Sequence, residues 1–285
     1  MAILLALFSA LSYGVSDFVG GLVSRRTSAW SVAFVAQVSA MTFSIFLALL
    51  TGGSPVVSDL AWAILAGIGS AAGIGFLYRG LATGRMSVVA PVSAVGSAIV
   101  PGLVGALTGE RPSALVWTGV LLALPSIWLV AHNSAEQTEA ASTEEAAGRA
   151  AGAFVDGLLA GVGFGVLFAA LGQVRDEAGL WPVATGQAVS VLGLVLLATV
   201  LRAPWVPRDT AAAIAVVAGA LGASANVAFL LSAQYGFLTV AGVLASLYPA
   251  ATVLLAAVVL HERIRRGQGV GLGLCAVAIA LVAAG

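Results

Sequence analysis

The most constraining feature of the chain is that much of its sequence is duplicated. Residues 61–131 and 213–283 align without a gap, 152 positions apart. The identical pairs include Gly67 with Gly219, Gly84 with Gly236, Val88 with Val240, Leu103 with Leu255, Glu110-Arg111 with Glu262-Arg263, Gly119 with Gly271 and Ala131 with Ala283. A weaker match continues upstream and pairs Trp30 with Trp181. The chain therefore consists of two related halves, and we expect a working site between them.

The composition places these two halves in a membrane. Hydrophobic residues make up 60% of the 285 residues and charged residues 8%, and the mean hydropathy is +1.08. A soluble domain carries about a quarter charged residues, so this chain has too few to cover a water-facing surface. The net charge is zero and no basic stripe is interleaved with aromatics, which argues against a nucleic-acid partner. We therefore predict an all-α membrane protein whose surroundings are the lipid bilayer.

Ten apolar stretches have about the 20 residues that a membrane-spanning helix needs. They are residues 2–23, 30–50, 60–81, 86–108, 113–132, 153–173, 181–201, 210–233, 238–260 and 268–284. They divide the chain into a first five-helix repeat at 1–132, a solvated linker at 133–150 and a second five-helix repeat at 151–285. Because five is odd, the second repeat enters the membrane from the opposite side, and the fold is predicted to be an inverted repeat.

The arginines between these stretches predict an orientation. Ten of them lie on the side that holds the linker, and two, Arg111 and Arg175, lie on the other side. The positive-inside rule then places both termini outside the cytoplasm. Every basic residue is Arg rather than Lys, which is typical of a GC-rich bacterial genome. We therefore expect a multi-pass protein of the bacterial inner membrane.

Asp17 is the acid that lies well inside a predicted span. It stands about six residues before the end of helix one, and Arg79 lies near the same face at the end of helix three. A charge inside the bilayer needs a partner or a function. We expect Asp17 to bind a cationic group or exchange a proton in a cavity, with Arg79 as its ion-pair partner or as an anion contact. A structural ion pair, or an Asp17 that caps a helix and is hydrated near the interface, explains these residues equally well. For Arg79 alone, a side chain that extends to the interface is the favoured explanation.

Polar and aromatic side chains inside the spans supply the remaining pathway candidates. Asn226 lies near the middle of helix eight, and Gln37 and Gln187 take similar places in helices two and seven. Hydrogen bonds between helices are the structural alternative for each amide. The predicted substrate pathway consists of Tyr13, Asp17, Tyr78, Arg79, Asn226 and Tyr248.

Three prolines fall within predicted spans. Pro91 and Pro101 interrupt helix four, and Pro249 interrupts helix nine. A proline frees a backbone carbonyl and bends its helix, which lipid tolerates only where protein or a cavity supplies a partner. We predict that these prolines are kinks used in gating. Ordinary kinked helices are the alternative.

The sequence contains no signature of an enzyme. His132 and His261 lie far apart, Cys275 is the single cysteine, and no HExxH, GxSxG or Walker sequence occurs. We therefore predict no catalytic residues, no metal and no cofactor.

Glycines spaced four residues apart mark helix faces that approach a neighbour closely. Gly157, Gly161 and Gly165 form one such set, and Gly269 and Gly273 form another in the last helix. Tight packing within the bundle is the favoured explanation. If the protein forms a homodimer, the last helix is the best candidate for its contact.

Local motifs in both halves point to a family. Helices four and nine end in similar steps, Gly109-Glu110-Arg111 and His261-Glu262-Arg263, and segments 82–91 and 245–249 stand at or near the beginnings of these helices. With these features, the chain resembles the EamA family of the drug/metabolite transporter superfamily. Members often carry a Trp-Gly-x-x-Asn element in helix one, where this chain has Tyr at position 13 and Asp at position 17.

The resemblance implies a ten-helix basket around a central cavity, with helices five and ten on the outside. It also implies transport of amino acids, other metabolites or drugs by alternating access, often coupled to protons. Members usually have both termini in the cytoplasm, which is the opposite of the orientation that the arginines predict.

Our hypothesis is a secondary active transporter that exports a small organic metabolite such as an amino acid, with protons as candidate coupling ions. The alternative is a non-transporting accessory or assembly subunit of the membrane. A water-accessible polar cavity favours the carrier. A closed cavity, with Asp17 and Arg79 locked in a pair, favours the accessory subunit.

Overall fold

The structure of the chain is a computed structural model that describes residues 1–82, 86–132, 144–208, 210–259 and 266–285. Within these ranges it contains eleven α-helices, two short 3-10 helices and no strand. The α-helices are α1 Ala2–Ser24, α2 Ala29–Thr51, α3 Val57–Ala82, α4 Met86–Leu107, α5 Ala114–His132, α6 Glu144–Leu171, α7 Trp181–Val200, α8 Ala215–Tyr235, α9 Leu238–Ala245, α10 Tyr248–Val259 and α11 Arg266–Ala284.

The lengths of these helices make the chain a multi-pass integral membrane protein. In the described part of the chain, eight helical segments are long and apolar enough to cross a bilayer, and α9 with α10 counts as one of them. Two shorter apolar segments, Val92–Leu107 in α4 and Ala114–Leu129 in α5, fall within the two remaining predicted stretches. The prediction of an all-helical membrane protein is therefore confirmed, while the count of ten spans and their inversion stay predictions.

Two helix boundaries differ from those predicted. The ninth predicted helix is split into α9 and α10 by a turn at Ser246 and Leu247, and Pro249 lies in the first turn of α10. A proline is tolerated there because the amide that it lacks has no partner in a first helical turn. The other difference is that α6 begins at Glu144, inside the segment predicted as a linker. The rest of that linker, 133–143, lies outside the described residues.

Helix four is continuous through both of its prolines. The backbone of α4 is helical from Met86 to Leu107, through both Pro91 and Pro101. The ring of Pro101 packs closely against Gly242 of α9, where a side chain larger than hydrogen would collide with it. A small neighbour therefore accommodates the ring of this proline where α4 meets α9. A role of these prolines in gating stays a prediction.

Contacts between a helix of the first half and a helix of the second half have counterparts between the equivalent helices. α1 packs on α8 as α6 packs on α3, α2 packs on α8 as α7 packs on α3, and α5 packs on α11. This is the arrangement expected when two related halves pack against each other.

Glycine allows the central pair, α3 and α6, to approach closely. A Cβ atom on Gly163 would lie 2.6 Å from the backbone nitrogen of Gly73 and 2.7 Å from the carbonyl oxygen of Gly69. The glycine series at 157, 161 and 165 lies on another face of α6 and packs against α4. Close packing of small residues holds helices together where lipid supplies no hydrophobic drive. The expectation of tight packing within the bundle is confirmed for this series.

Candidate functional site

A small cavity lies between the two halves and contains four of the predicted pathway residues. Its volume is about 30 Å³, which is room for roughly two water molecules and not for an organic solute. Helices α1, α2 and α3 of the first half and α6, α7 and α8 of the second half enclose it. Its lining consists of Tyr13, Ser16, Asp17, Ala36, Gln37, Ala40, Ser70, Ile74, Tyr78, Phe164, Leu167, Gln187, Ala218, Gly219, Gly222 and Asn226.

Asp17 is the one charged residue among the described residues that line this cavity. Its exposed fraction is 8%, and it has neither a hydrogen-bond partner nor an ion-pair partner in the part of the chain that the structure describes. Burial of an unpaired carboxylate is costly, and membrane proteins retain such groups chiefly where they act on a substrate or an ion. The cavity therefore has a buried acidic group available for binding.

Tyr13 and Asn226 join the two halves at the cavity wall. The Tyr13 hydroxyl donates a hydrogen bond to the Asn226 side-chain oxygen, and both residues are buried. Two serines strengthen the same contact between α1 and α8: the hydroxyl of Ser9 donates to the Ala225 carbonyl at 2.9 Å, and that of Ser16 donates to the Ala218 carbonyl at 2.8 Å. Such interhelical bonds are short-range and break if the helices separate.

The glutamines of helices two and seven both reach the cavity, although the sequence did not rank them among the pathway residues. The Gln37 amide donates to the Ser70 hydroxyl at 3.0 Å and to the Ser190 hydroxyl. The Gln187 side chain is buried and makes no hydrogen bond within the described part of the chain. Their similar positions in helices two and seven were the sequence signal that could have identified them as cavity residues. The sequence did not show how close these two helices lie to each other.

Tyr78 fills the cavity wall beneath helix one. Its side chain is fully buried, and its hydroxyl lies close to the side chain of Ser16 on α1. The ring fits because position 20 of α1 is glycine, where an added Cβ would overlap the tyrosine oxygen.

Arg79 does not pair with Asp17, which corrects the expected ion pair. Its guanidinium binds the carboxylate of Asp156 on α6, with Nε 3.0 Å from Oδ1, and it stacks on the Phe76 ring at 4.7 Å. Arg79 is not among the described residues that line the cavity. Arg79 pairs with Asp156 because the two residues face each other where α3 packs against α6. Sequence reasoning missed Asp156 because it stands only three residues inside a predicted span.

A second ion pair closes the other end of the same helix pair. Arg175, which follows α6, donates to Asp59 in the first turn of α3, with Nη2 2.8 Å from Oδ2. The Asp59 carboxylate also accepts the Val56 amide at 3.0 Å, so it caps α3. This hydrogen bond to Asp59 raises the pKa of Arg175 above its ordinary value. Ion pairs thus hold α3 and α6 at both ends.

Glu110, the acid of the Gly-Glu-Arg step, caps α9, the first part of the broken ninth helix. Its carboxylate accepts the amides of Leu238 and Thr239 at the start of α9, and the Thr239 hydroxyl at 2.6 Å. A carboxylate at a helix N-terminus satisfies amides without intrahelical partners and complements the helix dipole. The motif that indicated a family is therefore also a structural link between the halves. The corresponding step at 261–263 lies outside the described residues.

Tyr248 lies beside the cavity rather than in its lining. It is buried at the first position of α10, its hydroxyl is 2.9 Å from that of Ser93, and its carbonyl abuts Gly14 of α1. Four of the six predicted pathway residues line the cavity, namely Tyr13, Asp17, Tyr78 and Asn226. The other two, Arg79 and Tyr248, are not among its lining residues.

Comparisons with known proteins agree with this architecture. Residues 1–131 and 151–284 match the model of the EamA-like transporter family. Among solved structures, 26 chains match; one of them, described as "Crystal structure of protein", is 17% identical, with a TM-score of 0.72 over 98% of this chain and 95% of that chain. At this identity the likeness shows a shared fold alone. No curated protein matches the sequence.

Proposed function

Because the chain belongs to the EamA-like transporter family, we propose that it is a secondary active transporter that exports a small organic metabolite, such as an amino acid, by alternating access. The observation that carries the proposal is the unpaired, buried Asp17 in a cavity of mixed polar and apolar lining between the two halves. Ligand and ion sites of carriers built from two repeats lie at such an interface.

The cavity in this structure is too small for the proposed substrate. About 30 Å³ holds water but no metabolite, so the cavity has to widen when substrate enters. The α3–α6 pair is held by glycine contacts and by an ion pair at each end. The α1–α8 pair has Leu5 and Leu231 where the repeat aligns Asp156 and Arg79. We expect α1 and α8 to separate more readily than α3 and α6.

Coupling to protons is the proposed use of Asp17. A carboxyl group that binds a proton on one side of the membrane and releases it on the other drives substrate in the opposite direction. The rival explanation, a non-transporting accessory subunit, expects Asp17 to be locked in an ion pair with Arg79. Arg79 pairs with Asp156 instead, which leaves Asp17 available.

Reconstitution tests the proposal. Purified protein in proteoliposomes, with an imposed proton gradient, is screened against amino acids, nucleosides and lipophilic cations. The variants are Asp17→Asn and, as a matched control that removes an exposed carboxylate, Asp176→Asn. We expect gradient-driven flux of one solute class in the wild type and in Asp176→Asn, and its loss in Asp17→Asn.

The outcomes separate the parts of this proposal. Uphill flux that persists in Asp17→Asn would show a carrier whose coupling lies elsewhere. Absence of flux for every solute, from protein shown to be folded, would favour the accessory subunit. The bacterial inner membrane, the orientation of the termini and a homodimer through the last helix remain proposals of the same kind. Crosslinking through cysteines placed at Gly269 or Gly273, whose faces are open in the monomer, tests the dimer.

A further inference from the structure

The charges around the cavity indicate the class of substrate. Among the described lining residues, Asp17 is the one acidic or basic side chain. The basic residue nearest in sequence to the wall, Arg79, is bound to Asp156 outside the lining. The cavity therefore presents one buried carboxyl group and, in the described part of its wall, no basic side chain.

The uncharged part of the wall suits a cation equally well. The aromatic side chains Tyr13, Tyr78 and Phe164 line the cavity, and aromatic rings attract cations to their faces. Gln37 donates through its amide nitrogen to two serines, which leaves its carbonyl oxygen as an acceptor. Gln187, buried and without a partner in the described residues, adds a second amide.

We propose that the substrate is an organic monocation, an amine or alkylammonium that carries no carboxylate. This inference rests on the proposed transport function and narrows it. A cationic nitrogen placed beside Asp17 compensates the buried charge and donates its hydrogens to the carboxylate and the amide oxygens.

Other charge types fit this wall poorly. An anion, or the carboxylate of a zwitterionic amino acid, adds a second negative charge beside Asp17, and the described wall has no cation to compensate it. In a medium of low dielectric constant, like charges at short range repel strongly. A neutral solute brings no positive charge to compensate the carboxyl group of Asp17. The amino acid that the family resemblance suggests is therefore replaced by its decarboxylated amine.

A binding assay with matched probes tests the proposal without requiring transport. The probes share one scaffold and differ in charge: phenethylamine is a cation, phenylalanine a zwitterion, 3-phenylpropionate an anion and 2-phenylethanol neutral. Isobutylamine, valine, 3-methylbutyrate and isobutanol repeat the series without the ring. The purified full chain is titrated with each probe, and dissociation constants come from thermal-shift or calorimetric curves. Asp17→Asn and the control Asp176→Asn are titrated in parallel.

The expected result is that the cation of at least one scaffold binds about tenfold or more tightly than its zwitterion, anion and neutral analogue. Asp17→Asn should weaken that binding by about tenfold or more, while Asp176→Asn should leave it unchanged. Equal or tighter binding of a zwitterion or anion would overturn the proposal. Cation binding that survives in Asp17→Asn, or the absence of cation binding on both scaffolds, would overturn it as well.

A second readout locates the bound probe. A hydrophobic carbodiimide reacts with buried carboxyl groups, and mass spectrometry measures its addition to Asp17. Bound cation should slow this labelling, whereas phenylalanine should not. If cations bind at Asp17 and no flux is observed, the proposed transport function fails and the cation site stands. If flux of zwitterions is observed without cation binding, transport stands and the cation site fails.

Discussion

Replacing Gly163 with alanine should loosen the contact between α3 and α6. The added Cβ would lie 2.6 Å from the Gly73 nitrogen, about 0.8 Å short of the 3.4 Å at which ordinary contact begins. The atoms that it meets belong to helix backbone, so no flexible side chain can turn away. The helices have to move apart, and this stretches the close packing along their shared face.

The size of this effect follows from comparison with a glycine that faces open space. An added methyl in a well-packed interface costs about 1–3 kcal/mol. Alanine also favours the helix over glycine, by about 1 kcal/mol in water. Gly273 lies mid-helix in α11, with no atom within 4 Å of its added Cβ. Gly273→Ala therefore gains the helix preference of alanine without a steric collision. We expect Gly163→Ala to be less stable than Gly273→Ala by about 1–3 kcal/mol.

The assay is reversible unfolding of both variants and the wild type in the same mixed micelles, followed by circular dichroism. The difference in free energy of unfolding between the two variants isolates the collision, because the change of residue type is the same. Equal stabilities of Gly163→Ala and Gly273→Ala would refute the inference that α3 and α6 meet through backbone. So would a Gly163→Ala variant that is the more stable of the two.

Two further predictions concern the polar links. Glu110→Gln and Thr239→Val should each destabilise the protein. Because the Glu110 carboxylate accepts the Thr239 hydroxyl at 2.6 Å, a double-mutant cycle of unfolding free energies should give a coupling of about 0.5–3 kcal/mol. Strict additivity would show that these two side chains do not interact. Arg175→Gln should lower the free energy of unfolding because it removes the charged partner of Asp59, whose exposed fraction is 1%. Glu177→Gln, which alters a weak and exposed contact at 3.8 Å, should be neutral in the same unfolding assay, and a loss equal to that of Arg175→Gln would contradict the assigned partner.

The helices and the membrane environment could be predicted from the sequence alone. A run of about 20 apolar residues is a local property, and each of the eight long spans falls within or overlaps a stretch predicted by its length. Four pathway residues that the sequence singled out, Tyr13, Asp17, Tyr78 and Asn226, meet at one cavity. They were recognisable because polar groups are rare inside a span and lie toward the protein interior rather than toward lipid.

The partners of the charged residues could not be predicted in the same way. Arg79 and Asp156 are 77 positions apart, and the sequence offered Asp17 as an equally charged partner for Arg79. Likewise, Pro249 suggested a kink in the ninth helix, but the break at Ser246 and Leu247 is visible only in the folded backbone.

The division has a physical reason. Whether a segment enters the membrane depends on the transfer free energy of its own residues, which the sequence states directly. Which charges meet depends on how helices rotate and slide against one another, and those movements are set by close packing along whole faces. Glycines such as Gly69, Gly73 and Gly163 bring α3 and α6 together and so place Arg79 opposite Asp156. The sequence by itself therefore determined the helices and the rare polar groups within them, and tertiary packing alone decided that Asp17 is left unpaired in the cavity.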